Sequence, residues 1–591
     1  MILEFLNKEL LKVQKPARYI GYEFNSILKE RDGKLRIALA FPDVYEVGMS
    51  HYGLELLYHY INSFDDYYAE RVFLPWVDMI ELMEKKGIPL FTLETKTPIF
   101  EMDVLGISIS YELSFTNILK LLELSKINID VDKRKDNEPI VIAGGPVVFN
   151  IEPLYRAFDV VYLGDGEENL KKILEILNFT KGEKRIKRLE ELSKVGGIYI
   201  PLFYKQSGRK VVPVKNVPKR IKKNVLEDLD DSFVPVNQII PNVQSIHDRA
   251  VLEISRGCTR GCRFCHAGYI YRPVRERTAR KVVENAKKIL NKTGYEEISL
   301  LSLSAMDHST LNKIVDMLLP YVNEKKISLS IPSTRVDAFN VELLTKIASV
   351  RKRGITLAPE AGSQKMRDKI NKNIALDEIL RSALEAKKAG WNKIKLYFMV
   401  GFPGETEEDV REIGELLKEI KSFKFKLVTA SINLLVPKPH TAFQFAEVRE
   451  PEYMEYVYNV LKPYRKYAKI DVNDGKQSFI EAILSRGDRR LYDVVKKKYV
   501  KSYYDEWSEH FNFEDWIISF NEENVNLGDY KGPYTVKDNF PWDHIESGVT
   551  KYFLWKEYEK FLSGEKTDDC RNICSYCGVC QILKVENKLK I

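Results

Sequence analysis

Between Lys34 and Leu177, short apolar runs alternate with segments whose apolar residues recur at helical spacing. Leu35–Phe41, Val104–Ile109, Ile140–Ala143 and Val160–Leu163 predict strands, and Met49–Ile61 and Ser114–Ile127 predict helices. Glycines follow two of the strands, as Gly144-Gly145 and Gly164-Asp165-Gly166, where the chain must turn. This alternation predicts a doubly wound α/β domain over residues 1–180, with ligands at the carboxyl ends of its strands. Residues 181–247 mix charge runs with prolines and read as a connecting segment. From 248 to 445 the alternation is more regular. Ala250–Ser255, Glu297–Leu303, Ile327–Ile331, Gly354–Ala358, Lys393–Val400 and Leu427–Leu434 predict strands. Helical patterns near 276–292, 309–324, 340–349, 376–389 and 406–421 separate them. Right-handed crossovers curl such a parallel sheet into a partial (βα)6 barrel. Residues 446–591 are aromatic and charged with a helical leaning, and predict a mainly helical region.

A chain of 591 residues exceeds one ordinary core. Its 44% hydrophobic and 30% charged residues suit a globular protein. No window offers the ~18 apolar residues that cross a bilayer. The start carries Glu4 and no apolar run leading to a cleavage site, so no signal peptide is expected and a cytoplasmic location follows. A net charge of +7 is small for this length. The basic runs Lys219–Lys223 and Lys496–Lys498 read as solvated surface, which leaves RNA open as a partner without arguing for it.

All seven cysteines lie in two short groups, 258, 262, 265 and 570, 574, 577, 580. None is left for core packing or dispersed disulfides, which points to metal or cluster ligation in a reducing compartment. Cys258, Cys262 and Cys265 directly follow the first barrel strand, at the end where barrel enzymes place their chemistry. Three thiolates for four irons leave one iron open to bind a ligand. Zinc is the competing occupant, with His266 as fourth ligand, but its adjacency to Cys265 closes a tetrahedron poorly.

The run Cys258-Thr-Arg-Gly-Cys262-Arg-Phe264-Cys265 resembles the signature of the radical S-adenosylmethionine superfamily. The resemblance implies a [4Fe–4S] cluster whose open iron chelates S-adenosylmethionine, an electron donor such as ferredoxin or flavodoxin, and release of a 5′-deoxyadenosyl radical. It also implies cofactor contacts after successive strands. Ser304 and Asp307 stand where the methionine amino end is held, Ser333 and Arg335 where ribose and carboxylate contacts fall. Glu360 resembles a ribose-facing acid, and Gly401 and Gly404 lie on the adenine side.

The first domain resembles the cobalamin-binding type that precedes such barrels, carried by Gly144-Gly145-Pro146 and Gly164-Asp-Gly-Glu167-Glu168. Ser108 and Ser110 match hydroxyls near the cofactor's nucleotide tail. Where cobalt-ligating relatives carry Asp-x-His-x-x-Gly, this chain has Asp43-Val-Tyr45-Glu-Val-Gly48, so that ligand is missing. Cobalamin without a protein ligand, or a fold kept for substrate docking, are the alternatives. His51 reads as a helix-face residue, and His440 and His544 as structural. Phrases such as Lys15-Pro-Ala-Arg-Tyr-Ile-Gly21, Val436-Pro-Lys-Pro-His440 and Pro541-Trp-Asp-His544 resemble an uncharacterised radical S-adenosylmethionine family along nearly the whole chain. The barrel is also similar to that of transfer-RNA-modifying enzymes.

Cys570, Cys574, Cys577 and Cys580 fall within eleven residues. Their ferredoxin-like spacing would fill a second [4Fe–4S] cluster, with a tight zinc site as the alternative. The expectation is a radical enzyme acting on RNA or protein, by methylation or sulfur insertion. The competing reading is a zinc-stabilised RNA-binding or scaffold protein that kept the barrel without its chemistry.

Overall fold

The structure, a computed structural model, describes residues 1–332 and 354–590. Strands β1 (Leu35–Phe41), β2 (Tyr67–Phe73), β3 (Val104–Ser108), β4 (Ile140–Gly144), β5 (Val160–Tyr162) and β6 (Ile198–Tyr199) form one sheet in the order β2-β1-β3-β4-β5-β6. All neighbours are parallel except β5 and β6. The winding reverses between β1 and β3, so their carboxyl ends form the topological switch point of the predicted doubly wound domain.

β2 escapes the sequence pattern because Glu70 and Arg71 interrupt its apolar run. Both are buried. Arg71 reaches Glu23 and Glu94, each at 2.7 Å, and Glu70 accepts from Thr92 at 2.6 Å. Pairing of this completeness is what lets charge sit in a sheet core.

The barrel strands are β7 (Ala250–Glu253), β8 (Glu297–Leu301) and β9 (Ser328–Ser330), then β10 (Ile355–Glu360), β11 (Lys393–Val400) and β12 (Leu427–Leu434). They pair in parallel within two groups, β7-β8-β9 and β10-β11-β12. All six predicted strands are present; the helical pattern at 340–349 lies outside the described residues. A seventh strand, β13 (Lys469–Val472), comes from the last region and pairs in parallel with β12. Along β11 and β12 burial alternates residue by residue. Ile394, Leu396 and Phe398 pack in the core, while Tyr397, Met399 and Asn433 on the other face line a cavity.

The last region is helical, with helices at Gly475–Ser485, Leu491–Lys501, Phe513–Glu522 and Lys551–Ser563. Phe479, Ile483, Leu491, Val495 and Trp516 join the apolar core of the first domain. Phe553 and Phe561 instead join Phe402 and Phe443 against the barrel. This region therefore bolts the two domains together.

Two sequence readings need correction. The basic runs are not wholly solvated: Lys223 and Lys498 are buried. Lys498 pairs with Asp505 at 2.8 Å, and Lys223 donates to Ile270 O at 2.5 Å and Arg272 O at 2.6 Å. Lys223 finds its partners in a distant segment, whereas Lys498 finds them close by in sequence, at Ser502 and Asp505.

Candidate functional site

The cysteine loop leaves β7 through a short ribbon in which Ser255–Arg256 pairs with Arg275–Glu276. Gly257 has φ +88°, and a Cβ there would stand 2.4 Å from Pro273 O, so only glycine allows this entry. Cys265 caps the helix His266–Ile270, its Sγ accepting the Gly268 N–H at 3.3 Å. Burial, then Cys262 and Cys258, push the Cys265 thiol up to about 12. Burial and then Cys262 raise the Cys258 thiol too. Three thiols thus crowd one half-buried pocket, with Arg272 acting on Cys258 and Lys372 on Cys265. The irons of a cluster would add positive charge there and hold them as thiolates. His266 is half-buried with its ring beside Phe149, and its Nε2 is buried without a partner among the described residues.

The C-terminal cysteines fold directly onto this loop. Cys570 N–H donates to Thr259 O at 3.3 Å, and Thr259 Oγ1 donates to Asp569 at 3.1 Å. An alternating quartet of charges fastens the junction. Arg260 meets Asp307 at 2.5 Å and Asp569 at 3.1 Å, while Arg571 meets both Asp307 and Asp569 at 3.0 Å. Asn371 Nδ2 donates to Gly261 O at 3.2 Å and Thr567 O at 3.1 Å. Beyond the cysteines the tail continues as a strap: Lys588 N–H donates to Val274 O at 2.8 Å and Glu276 N–H to Lys588 O at 3.0 Å. The four thiols are near neighbours; burial, then Cys577 and Cys570, raise the Cys580 thiol. Cys577 is buried, whereas Cys574 and Cys580 are exposed. Arg272 lies in the fields of Cys577 and Cys258, and donates to Gly268 O at 3.1 Å and Arg260 O at 2.9 Å.

The other predicted residues divide. Ser304 donates to Asp307 at 2.6 Å, and with Arg260 and Arg571 all four acceptor positions of the Asp307 carboxylate are engaged. Ser333 and Arg335 lie outside the described residues. Glu360, in the left-handed region at φ +70°, meets Lys372 at 3.0 Å and faces the cavity. That cavity, about 430 Å³, runs from Phe264 past Glu360, Tyr397 and Asn433 to Tyr111 of the first domain and Glu481 of the last. Burial holds the Glu481 carboxyl above its usual range against the opposing Lys438, which lies 2.6 Å away. Gly401 and Gly404 form the turn after β11, both at positive φ, and Thr406 caps the helix that follows.

Ser108, Ser110, Gly144 and Gly145 come together at the ends of β3 and β4, where Ser108 lies opposite Gly144. Ser110 is exposed, and its Oγ stands 3.4 Å from His51 Nε2. His51 is more than a helix-face residue. Its Nδ1 accepts the Leu54 N–H as an N-cap, and burial pushes it down to about 4, so the ring facing this crevice is neutral. Asp43 is covered by Trp507 at 3.0 Å, and Tyr45 OH donates to Glu23 at 2.9 Å. The Asp-x-Tyr segment is therefore turned inward and offers the crevice no metal ligand. Asp165 of the glycine motif meets Arg275 at 2.5 Å and Arg256 at 3.0 Å, joining the first domain to the cysteine loop. His440 Nε2 and His544 Nδ1 lie 3.1 Å and 3.0 Å from backbone oxygens of Phe149 and Pro541.

Sequence reasoning missed the arginines of this site. Arg260, Arg263 and Arg571 look like ordinary basic residues between cysteines, and Arg272 like one that follows them; the one signal is that both cysteine groups interleave arginine with the ligands.

The model of the radical SAM superfamily matches residues 252–417, and that of the N-terminal region of radical SAM proteins matches residues 53–201. An uncharacterised protein of Methanocaldococcus jannaschii is 27% identical over 77% of this chain and 89% of its own. The tRNA-2-methylthio-N(6)-dimethylallyladenosine synthase of Petrotoga mobilis is 24% identical over 43% of this chain and 58% of its own length. Among solved structures, the radical S-adenosylmethionine methyltransferase TsrM from Kitasatospora setae, with cobalamin and a [4Fe-4S] cluster bound, has a TM-score of 0.48 at 13% identity, covering 71% of this chain and 76% of that one. OxsB, a cobalamin-dependent S-adenosylmethionine radical enzyme, has a TM-score of 0.46 at 13% identity over 93% and 83%. With the cysteine loop inside the second family match and at the mouth of the barrel, the chain belongs to the radical S-adenosylmethionine superfamily and is one of its enzymes.

Proposed function

We propose that this enzyme reductively cleaves S-adenosylmethionine at a [4Fe–4S] cluster on Cys258, Cys262 and Cys265 and modifies one nucleoside of an RNA, by methylation or sulfur insertion. The observation carrying the reading is the cavity that begins at Phe264, between two ligating cysteines, and ends at Tyr111 and Glu481. When bound, cluster and cofactor supply the radical; the chain binds, orients and excludes water. About 430 Å³ admits a nucleoside-sized group but no folded macromolecule, so an RNA would present a single extruded base. Tyr111 and Tyr397 offer aromatic faces, and Asn433, Asn473 and Glu481 offer polar groups for its edge. The tRNA-modifying relative favours RNA over protein. A corrinoid, if used, would rest at Ser108, Ser110 and Gly144 without a ligand from Asp43–Gly48.

A second [4Fe–4S] cluster on the four C-terminal cysteines is part of the proposal. Its support is the sequence: four cysteines within eleven residues, at ferredoxin-like spacing, on the tail whose Cys570 N–H reaches Thr259 O of the first cysteine loop. A zinc site more often joins two cysteine pairs through a longer loop.

Anaerobic reconstitution, metal analysis and reduction with S-adenosylmethionine test the reading. About eight irons and released 5′-deoxyadenosine are expected, and Cys262→Ala should abolish the nucleoside. Zinc without any nucleoside product would instead support the scaffold alternative. Turnover on a peptide but no RNA would refute the substrate class.

A further inference from the structure

The two cysteine groups differ in access and share a backbone contact, and together these facts assign the tail a role. In the tail, Cys574 and Cys580 face solvent, flanked by Ile573 and Tyr576, which are 59% and 80% exposed. The loop is less open: its three cysteines are half-buried, with the first domain against it through Asp165 and Phe149 and the tail strap against it through Lys588. The most accessible sulfurs of the two groups are those of Cys574 and Cys580.

We propose that the segment Asp569–Cys580 is the electron-entry port of the enzyme, and that the Cys570 N–H to Thr259 C=O contact, with Arg272 donating to the neighbouring Arg260 C=O, is the bridge to the half-buried loop. This rests on the second cubane proposed above. The bridge is short in bonds. Cys570 hydrogen-bonds to the residue next to Cys258, and the buried guanidinium of Arg272 donates to Arg260 O at 2.9 Å in the same loop. The quartet of Arg260, Asp307, Asp569 and Arg571 holds the contact without using a cysteine. One electron enters from a reduced one-electron donor, an iron–sulfur or flavin protein, at the Cys574–Cys580 edge and leaves toward Cys258. The donor is oxidised by one electron and the loop centre reduced by one; no bond forms or breaks, and no proton moves. The exposed Ile573 and Tyr576 are the apolar contacts such a donor would cover.

The test uses the full-length reconstituted enzyme and reduced ferredoxin as the probe. Asp569→Asn with Arg571→Gln breaks the quartet while keeping all seven cysteines. This variant should retain about eight irons and normal reduction by dithionite, yet accept electrons from ferredoxin about tenfold more slowly. In the wild-type enzyme, the electron paramagnetic resonance of the two reduced centres should show mutual broadening, which the variant weakens. Ile573→Ser with Tyr576→Ser, on the outer surface, should slow ferredoxin but not dithionite. Eight irons with no mutual broadening and unchanged ferredoxin rates in both variants would overturn the port and leave the second cubane intact. Four irons with one zinc in the wild-type enzyme would overturn the second cubane itself, and the port with it.

Discussion

Replacing Arg263 by methionine should loosen the cysteine loop by about 4 kcal/mol. Its guanidinium, fully buried between Cys262 and Phe264, joins three parts of the site. It donates to Lys369 O at 2.6 Å, Glu565 O at 2.8 Å, Thr567 Oγ1 at 3.3 Å and Glu557 Oε2 at 3.1 Å. Methionine replaces much of the stem but leaves Glu557, 1% exposed, without its buried counter-ion. Breaking one side of such a pair costs about 3–5 kcal/mol. Lys560, 3.3 Å from Glu557, and the Thr567 hydroxyl soften that loss, while the stranded carbonyls add to it. Adding Glu557→Gln removes the unpaired charge and leaves only lost bonds to neutral groups, about 2 kcal/mol in all.

A chain of several packed units does not unfold in one step, so the assay is amide hydrogen exchange over 258–268 and 565–580 rather than a single melting temperature. At 1.4 kcal/mol per decade, the single variant should exchange there about a thousandfold faster than the parent and the double variant about thirtyfold faster. Iron retention should follow the same order. A double variant exchanging as fast as the single one would show that the buried charge is not what the arginine balances, and would refute the reasoning.

Two further outcomes follow from groups away from the cysteines. Burial raises the Glu405 carboxyl from its ordinary 4.5 to about 7, although Gly401 N–H and Tyr453 OH donate to it at 2.5 and 2.7 Å. Folding therefore favours its protonated form. Stability from this group is fully present below pH 4.5 and is lost as pH rises to about 7, by at most about 3 kcal/mol. Glu405→Gln should flatten denaturation profiles between pH 5 and 8; an unchanged pH slope would refute the assignment. Gly164→Ala should destabilise by about 3 kcal/mol, because φ is +109° and the new Cβ would stand 2.0 Å from Asn224 O. Gly33→Ala, at φ +75° with nothing within 4 Å, should cost only the about 1 kcal/mol of left-handed backbone. Equal increases in amide exchange around residues 164 and 33 in the two variants would contradict this.

The alternation of apolar runs made most of the fold legible, and the cysteine spacing made the site legible, because both are local signals. β2 was hidden by Glu70 and Arg71, whose partners Glu23, Thr92 and Glu94 lie outside the strand. β13 was hidden because four residues, Lys-Ile-Asp-Val, carry no period of their own and become a strand by pairing with β12. His51 was set aside because its meaning depends on Ser110, far along the chain.

The junction of the two cysteine groups shows why such sites resist one-dimensional reading. Thr259 and Asp569 are 310 residues apart, and neither has a pattern that requires the other. What joins them is charge: an arginine beside each cysteine group and an aspartate shared between them. Along the chain, basic residues interleaved with cysteines look like solvated surface. In the fold Arg263, Arg272, Arg275 and Arg277 are all buried. Arg272 donates to Gly268 O and Arg260 O, and Arg277 to Glu253 O, so these guanidiniums pair with backbone oxygens as well as acids. A loop that must open its backbone around a cluster leaves carbonyls without sheet or helix partners. The rigid multi-donor guanidinium is the side chain best suited to satisfy several of them at once. The density of arginine around the cysteines is thus a consequence of the loop's irregular backbone. It argues that this protein's positive charge serves its own cluster loop before any nucleic acid.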